Sequence, residues 1–198
     1  MENLKIAFFG DSHDAEVLYH VSYFAQRGYD VRFYSAKDLP QEVALPSNVC
    51  FKKLSTVNYP WTYFTFVGTA LHLLCHQPDI MHAFNLSDYG VLSSLYRRLA
   101  GFKPMVLTAK GEDVLRDAKT RKGWAIKHMI PIGALFTSAN EMAAQEIVKM
   151  GASIKNVRII DPKREDMLAK LEQDYLELTS FKRAMIAARK EKKNQEQG

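Results

Sequence analysis

Lys110, Gly111 and Asp113 stand together in the stretch VLTAKGEDVL, residues 106–115. An apolar run stops there, and a cation, a glycine and two carboxylates follow within four positions. A charged loop leaving a buried strand is a common place for chemistry, because the strand holds the loop rigid while its polar groups face solvent. A second such place is GDSHDAE, residues 10–16, where Gly10, Asp11 and His13 follow another apolar run. Gly10 lies between a strand and a helix start, where backbone N–H groups meet phosphates. It equally suits a glycine that only permits the turn.

Other chemistry is poorly served. His72 and His76 are four apart, but no glutamate lies between them in the zincin arrangement and Gln77-Pro78 follows at once, so no metal site is expected. The loop at Gly10 has one glycine, not the three of a dinucleotide fingerprint, and the chain has neither GxxxxGK[ST] nor GxSxG. Nicotinamide, P-loop and serine-hydrolase chemistry are therefore set aside, and no cofactor is expected.

These loops need strands and helices to position them. Short apolar runs at 4–10, 30–35, 48–54, 79–84, 104–109, 134–138 and 156–160 read as seven strands. Helical spacing at 14–28, 63–75, 87–101, 122–129 and 139–151 places helices between them. The alternation predicts one doubly wound, Rossmann-like α/β domain over residues 1–161 with a mainly parallel sheet. Ligands in such sheets bind beyond the carboxyl ends of the strands, at the loops 10–13, 84–88, 110–113 and 137–141. Residues 162–198 form a helical extension. Leu168, Leu171, Tyr175, Leu178, Phe181 and Met185 mark its apolar stripe, and its last ten residues read as a frayed basic tail.

The chain has 198 residues, 47% apolar and 25% charged, enough for one domain with a real core. A net charge of +5 suits anionic headgroups or phosphorylated ligands, and no interleaved basic and aromatic pattern points to nucleic acid. Cys50 and Cys75 read as reduced core thiols of a cytoplasmic protein. From Leu54 to Pro78 the chain has no acid, lysine or arginine, yet Asn58, Pro60, Thr62, Thr65, Gly68, Thr69 and His72 interrupt it and argue against a span. Within it the aromatics Trp61, Tyr63 and Phe64 suit either core packing or contact with a membrane or greasy acceptor.

Three segments resemble glycosyltransferase family 4. KIAFFG…HVSYFAQRGYDVRFYS resembles the family's opening strand, glycine loop and "RGHxV" strand entry. PDIMHAFNLSDYGVLSSLYRRLAGFKPMVLTAKGEDVL is similar to its "PDvvHaH…HG.D" segment. ALFTSANEMAAQEIVKMGASIKNVRII is similar to the segment holding its serine and "Ga" turn. The similarity runs from about Lys5 to Ile160. It implies the acceptor-side half of a GT-B enzyme, a hexosyltransferase of glycan biosynthesis with a sugar-nucleotide donor and retention of configuration. The resemblance ends where the family's linker would begin, so the expectation is a lobe incomplete for catalysis alone, with the terminal helix folded back on it.

Carried over position by position, Gly10, Asp11, His13, His82, Lys110, Gly111, Asp113 and Ser138 are expected to line the acceptor cleft. No catalytic residue can be named. Lys110 stands where the family has a histidine facing the reacting sugar, and Gly10 matches half of a double-glycine loop. Ser138 with Glu141 also fits a capping box. The expected partners are a second chain carrying the donor-binding domain, or another copy of this one, and a glycan or glycolipid acceptor. The expected location is cytoplasmic, at the inner face of the membrane. The alternative is a non-catalytic binding or scaffolding domain derived from a GT-B enzyme. A flavodoxin-like binder is the weaker third reading, because the first loop lacks a Ser/Thr-rich phosphate cradle.

Overall fold

The computed structural model describes residues 4–54, 61–99, 103–116, 119–120, 123–161 and 163–195. Seven strands, β1 (Lys5–Phe9), β2 (Asp30–Ser35), β3 (Val49–Lys53), β4 (Ile80–Phe84), β5 (Met105–Ala109), β6 (Leu135–Ser138) and β7 (Val157–Ile159), form one sheet. Its order is β3-β2-β1-β4-β5-β6-β7. Every pairing is parallel. Parallel strands need crossovers, and the helices α1 (Ala15–Gln26), α2 (Trp61–His76), α3 (Val91–Leu99), α4 (Glu112–Leu115), α5 (Gly123–Met129) and α6 (Glu141–Lys149) supply all but the β2–β3 connection, which is a loop. The seven-stranded doubly wound sheet read from the sequence is the observed fold.

Period-2 alternation splits the core into two layers. Ala7, Phe9, Met81, Ala83, Met105, Leu107 and Phe136 face one layer, with Leu73 of α2, Ile126 of α5 and Ile147 of α6. Ile6, Phe8, Ile80, Phe84, Val106 and Leu135 face the other, with Val17, Val21 and Phe24 of α1. The returning helix α7 (Glu165–Gln195) completes that second layer with Leu168, Leu171 and Tyr175, each fully buried. Tyr175 stacks on Phe24 at 4.9 Å between ring centroids.

Four sequence expectations change. The period of α2 assigned Phe64, Val67, Leu71 and Leu74 to its buried face, but Leu71 and Leu74 are exposed and Ala70 and Leu73 are buried. The helix is apolar on most of its circumference, so period alone does not choose the face; the sheet takes the side carrying small Thr69 and Ala70. For the same reason Cys75 is exposed rather than a core thiol, and Cys50 is half-buried. The sequence after β4 offers Ser87 or Asp88 as the helix cap, but Asn85 takes that place, and a π-helical turn at Leu86–Gly90 precedes α3. Finally, α7 remains helical to Gln195, through residues expected to fray, while Phe181 and Met185 on its stripe are exposed beyond the last buried turn. The side chains of Trp61, Tyr63 and Phe64 lie outside the described residues.

Candidate functional site

The strand order reverses direction between β1 and β4, so the crossovers from these neighbours leave on opposite faces and open a crevice above their carboxyl ends. The loops after β1, β4, β5 and β6 meet there. Each is fixed by a different polar device.

The loop after β1 is closed on itself. Gly10 N–H donates to the Tyr34 carbonyl at 3.1 Å, and Asp14 N–H to the Asp11 carbonyl at 3.1 Å. Ser12 N–H donates to Ser35 Oγ at 3.0 Å and His13 N–H to Asp11 Oδ1 at 2.9 Å. Buried Ser12 also donates its hydroxyl to the Asp38 carbonyl at 2.7 Å, tying this loop to the one after β2. These N–H groups do not point at a vacant anion cradle. A Cβ on Gly10 would stand 2.8 Å from Val17 Cγ1 and 3.2 Å from Phe84, so the glycine is required for α1 to pack against the strand end. Gly10→Ala is expected to destabilise the fold by about 1–3 kcal/mol through overpacking, with Val17→Ala restoring part of it; chemical unfolding of the single and double variants checks this.

Asp11 and His13 lie on the rim. Asp11 pairs with Lys37 at 2.6 Å. Partial burial raises its carboxyl, but Lys37 and the His13 N–H outweigh that and hold it below its ordinary range. His13 is exposed, with Nδ1 3.5 Å from Asp11 Oδ1.

The start of α1 carries two carboxylates, the N-cap Asp14 and first-turn Glu16. Lys110 reaches them from the loop after β5, with Nζ 2.8 Å from Asp14 Oδ2 and 2.5 Å from Glu16 Oε2. It also lies 5.5 Å over the Phe84 ring. A helix N-terminus ordinarily attracts an anion. Here the protein's own carboxylates fill that position, and Lys110 offsets one of their two charges.

Asp113 joins two of the loops. Its Oδ1 accepts from Lys110 N–H at 3.0 Å and its Oδ2 from Leu86 N–H at 2.7 Å, across from the loop after β4. It is 1% exposed, so it is a staple beneath the crevice rather than part of its lining. Burial pushes its carboxyl up, against the pull of its backbone N–H partners. Gly111, at φ +82°, makes the sharp turn that aims Asp113 inward, a conformation L side chains rarely adopt. On the other side Asn85 takes the same left-handed φ, +82°. Its Oδ1 accepts from Ser87 N–H at 2.7 Å and Asp88 N–H at 3.2 Å.

Besides Asp113, two further expected cleft residues are buried away from the lining. His82 is fully buried on the α7 side of the sheet, two positions from Ile80 and Phe84, which share its face. Its Nδ1 bonds the Tyr175 hydroxyl. Its Nε2 lies 2.5 Å from Thr108 Oγ1, which lies 2.6 Å from Thr137 Oγ1. The chain of bonds is satisfied with a neutral ring. Burial, with help from neighbouring His20 and Lys110, holds His82 well below the ordinary histidine value. Ser138 is 1% exposed and donates to the Ala109 carbonyl at 3.1 Å. It does not cap α6: Asn140 does, accepting from Met142 N–H at 2.8 Å.

Sequence reasoning missed His20, Ser12, Asn85 and Tyr175. His20 is buried at ring-centroid distances of 5.9 Å from His82 and 5.0 Å from Phe84. Its position between Val17, Val21 and Phe24 on the apolar stripe was the available signal. Asn85 was signalled by an Asn directly after a strand and two positions before Ser87. Nothing local marks Tyr175 as the partner of His82. Among the described residues no group of three or more His, Cys, Asp or Glu is arranged to hold a metal. A groove of about 480 Å³ lies between α6 and β7, lined by Ala144, Val148, Ile154, Val157 and Ile159, away from the crevice.

Residues 5–148 match the family described as glycosyl transferase 4-like. No curated protein matches the chain. Among solved structures, UDP-GlcNAc 2-epimerase from Methanocaldococcus jannaschii in complex with UDP-GlcNAc and UDP superposes with TM-score 0.60 at 11% identity, covering 80% of this chain and 46% of that one. UDP-N-acetylglucosamine 2-epimerase from Rickettsia bellii gives 0.58 at 12%, covering 79% and 44%. The Anabaena protein HepE in complex with UDP and glucose gives 0.56 at 13%, covering 80% and 44%. At these identities the likeness is one of fold, that of one GT-B domain, and this chain spans less than half the length of each.

Proposed function

The chain belongs to the glycosyl transferase 4-like family, and from that premise we propose that it is the acceptor-side lobe of a retaining, sugar-nucleotide-dependent glycosyltransferase. The acceptor is a glycan or glycolipid at the inner face of the membrane, and a second chain supplies the surface that grips the donor diphosphate. The observation that carries this reading is the closed first loop. Its N–H groups at Gly10, Ser12, His13 and Asp14 already have acceptors. Asp14 and Glu16 occupy the start of α1, with Lys110 committed to them. A diphosphate brought there would meet two carboxylates at short range. Neutral hydroxyls of an acceptor suit the same groups, since carboxylates accept from them and ammonium donates to them.

Calorimetric titration with UDP, GDP and their sugar conjugates tests the reading. No heat from the chain alone, and binding once a donor-lobe chain is added, is the expected result. Micromolar binding by the chain alone, abolished by Lys110→Ala, overturns it. The engagement of Lys110 by Asp14 and Glu16 also favours a second reading, a non-catalytic scaffold. Copurification separates the two: a scaffold brings down no chain with sugar-nucleotide affinity.

A further inference from the structure

We propose that the exposed face of α5, centred on Trp124, is the surface through which this lobe lies on an anionic lipid bilayer. This rests on the acceptor-side reading and names the membrane-facing surface that it requires. Trp124 is 71% exposed at the first turn of α5. An indole left in water on a helix whose other side is buried is neither core packing nor a solubilising residue. Its ring lies 4.3 Å from that of His128, one turn on, and His128 Nδ1–H donates to the Trp124 carbonyl at 2.8 Å. The two rings therefore form a preset aromatic ledge on a rigid element.

The charge around the ledge selects the partner. Lys119 and Lys127 are exposed on either side. Arg116 is exposed as well and pairs with Glu112 at 3.2 Å. In sequence, residues 116–128 hold five Lys or Arg and one acid, a net +4 against +5 for the whole chain. In sequence this stretch is one of two strongly basic ones, the other lying at the end of α7, and it is the one that holds the exposed tryptophan. Tryptophan favours the headgroup level of a bilayer, and flanking lysines are drawn to anionic headgroups. A neutral sugar ring stacked on Trp124 would instead want carboxylates or amides at the rim, and the nearest described acids in sequence are Asp113, which is buried, and Glu112, which is paired with Arg116. No described helix is long and apolar enough to cross a membrane, so the contact is a surface one. Its position fits the function. α5 packs against the Leu86–Gly90 turn, and Ile126 and Met129 share a core layer with Leu86. That turn is held by Asp113 beneath the crevice. A bilayer at Trp124 would present a lipid-linked acceptor next to the crevice mouth.

The chain has two tryptophans, so Trp61→Phe leaves Trp124 as the only indole reporter. The test mixes this variant with phosphatidylcholine vesicles, with and without phosphatidylglycerol, and reads emission maximum and co-sedimentation. A blue shift and binding confined to the anionic vesicles, both suppressed by high salt, are expected. Lys119→Glu with Lys127→Glu is expected to weaken partitioning at least about tenfold. Trp124→Ala is expected to weaken it with no change in thermal unfolding, because the side chain is exposed. No shift with anionic vesicles overturns the proposal. So does an equal shift with neutral vesicles, or a shift produced by a soluble oligosaccharide, which would make the ledge a sugar subsite. The donor titration contains no lipid, so either reading can fail without the other.

Discussion

Asp113→Ala is expected to lower the unfolding free energy by about 3 kcal/mol, although the residue is read from sequence as part of a polar loop. The carboxylate accepts from Leu86 and Lys110 N–H on different loops, and from Val114 N–H beside it. Leu86 is fully buried, so water cannot replace the lost acceptor there without opening the π-helical turn. A buried donor left unsatisfied costs about 1–3 kcal/mol, and the N–H groups of Leu86, Lys110 and Val114 are all open to that cost; relief of the buried carboxylate's own desolvation offsets part of it. Asp113→Asn retains the shape but sets an amide N–H against one donor, and is expected to cost nearly as much. Urea unfolding with unchanged slope and a lowered midpoint measures the effect. Hydrogen exchange at the Leu86 amide localises it. A loss below about 1 kcal/mol would mean that the two loops hold their register without the staple.

Acid is expected to weaken the protein through His20. Its ring is fully buried, and burial, assisted by Lys110, lowers it from 6.5 to about 4, while the Glu16 carbonyl and Asp14 pull the other way. Between those values the unfolded chain binds a proton that the folded chain refuses. Stability therefore rises with pH across this window: the contribution is fully present above about 6.5 and is lost as pH falls toward 4. At about 1.4 kcal/mol per unit the loss is roughly 3 kcal/mol. His82 adds in the same direction, since its ring is also held neutral by burial. Unfolding free energies at pH 7 and pH 4 for the natural chain and His20→Leu give the comparison. The carboxylates common to both cancel, and the variant is expected to lose about 3 kcal/mol less on acidification. Equal losses would show that His20 accepts its proton inside the fold.

The strands were legible because each is a short, mainly apolar run closed by Gly, Asn, Lys, Ser or, for β7, Asp. That signal is local and the buried parallel sheet depends on it. The helix faces were less so. α1 has polar residues on one side and its buried stripe followed; α2 has few, and Leu71 and Leu74 were assigned inward when the sheet accepted Ala70 and Leu73. Loop residues were found by type, but type does not distinguish a side chain that offers its charge to a ligand from one already engaged. Lys110 and Asp113 were both expected at the crevice. One is satisfied by carboxylates nearly a hundred positions away in sequence, and the other by an amide on a different loop.

By itself the sequence determined the alternating elements, the parallel sheet they imply, the loops that share its carboxyl edge, and the family pattern spread across them. These follow from periodicities of 2 and 3.6 and from glycine and Asn at element ends, properties of neighbouring residues. Strand parity also put His82 on the same face as Ile80 and Phe84. Only the tertiary structure decided which helix covers that face. α7 returns across it and brings Tyr175 to His82, 93 positions away, making that histidine a buried structural group instead of a cleft ligand. It likewise decided that α1 presents Asp14 and Glu16 to Lys110, because the approach of a helix start to a distant strand end is set by packing around Gly10 and Val17. Contacts of that range carry no local signature, since they depend on how whole elements settle against one another in the core.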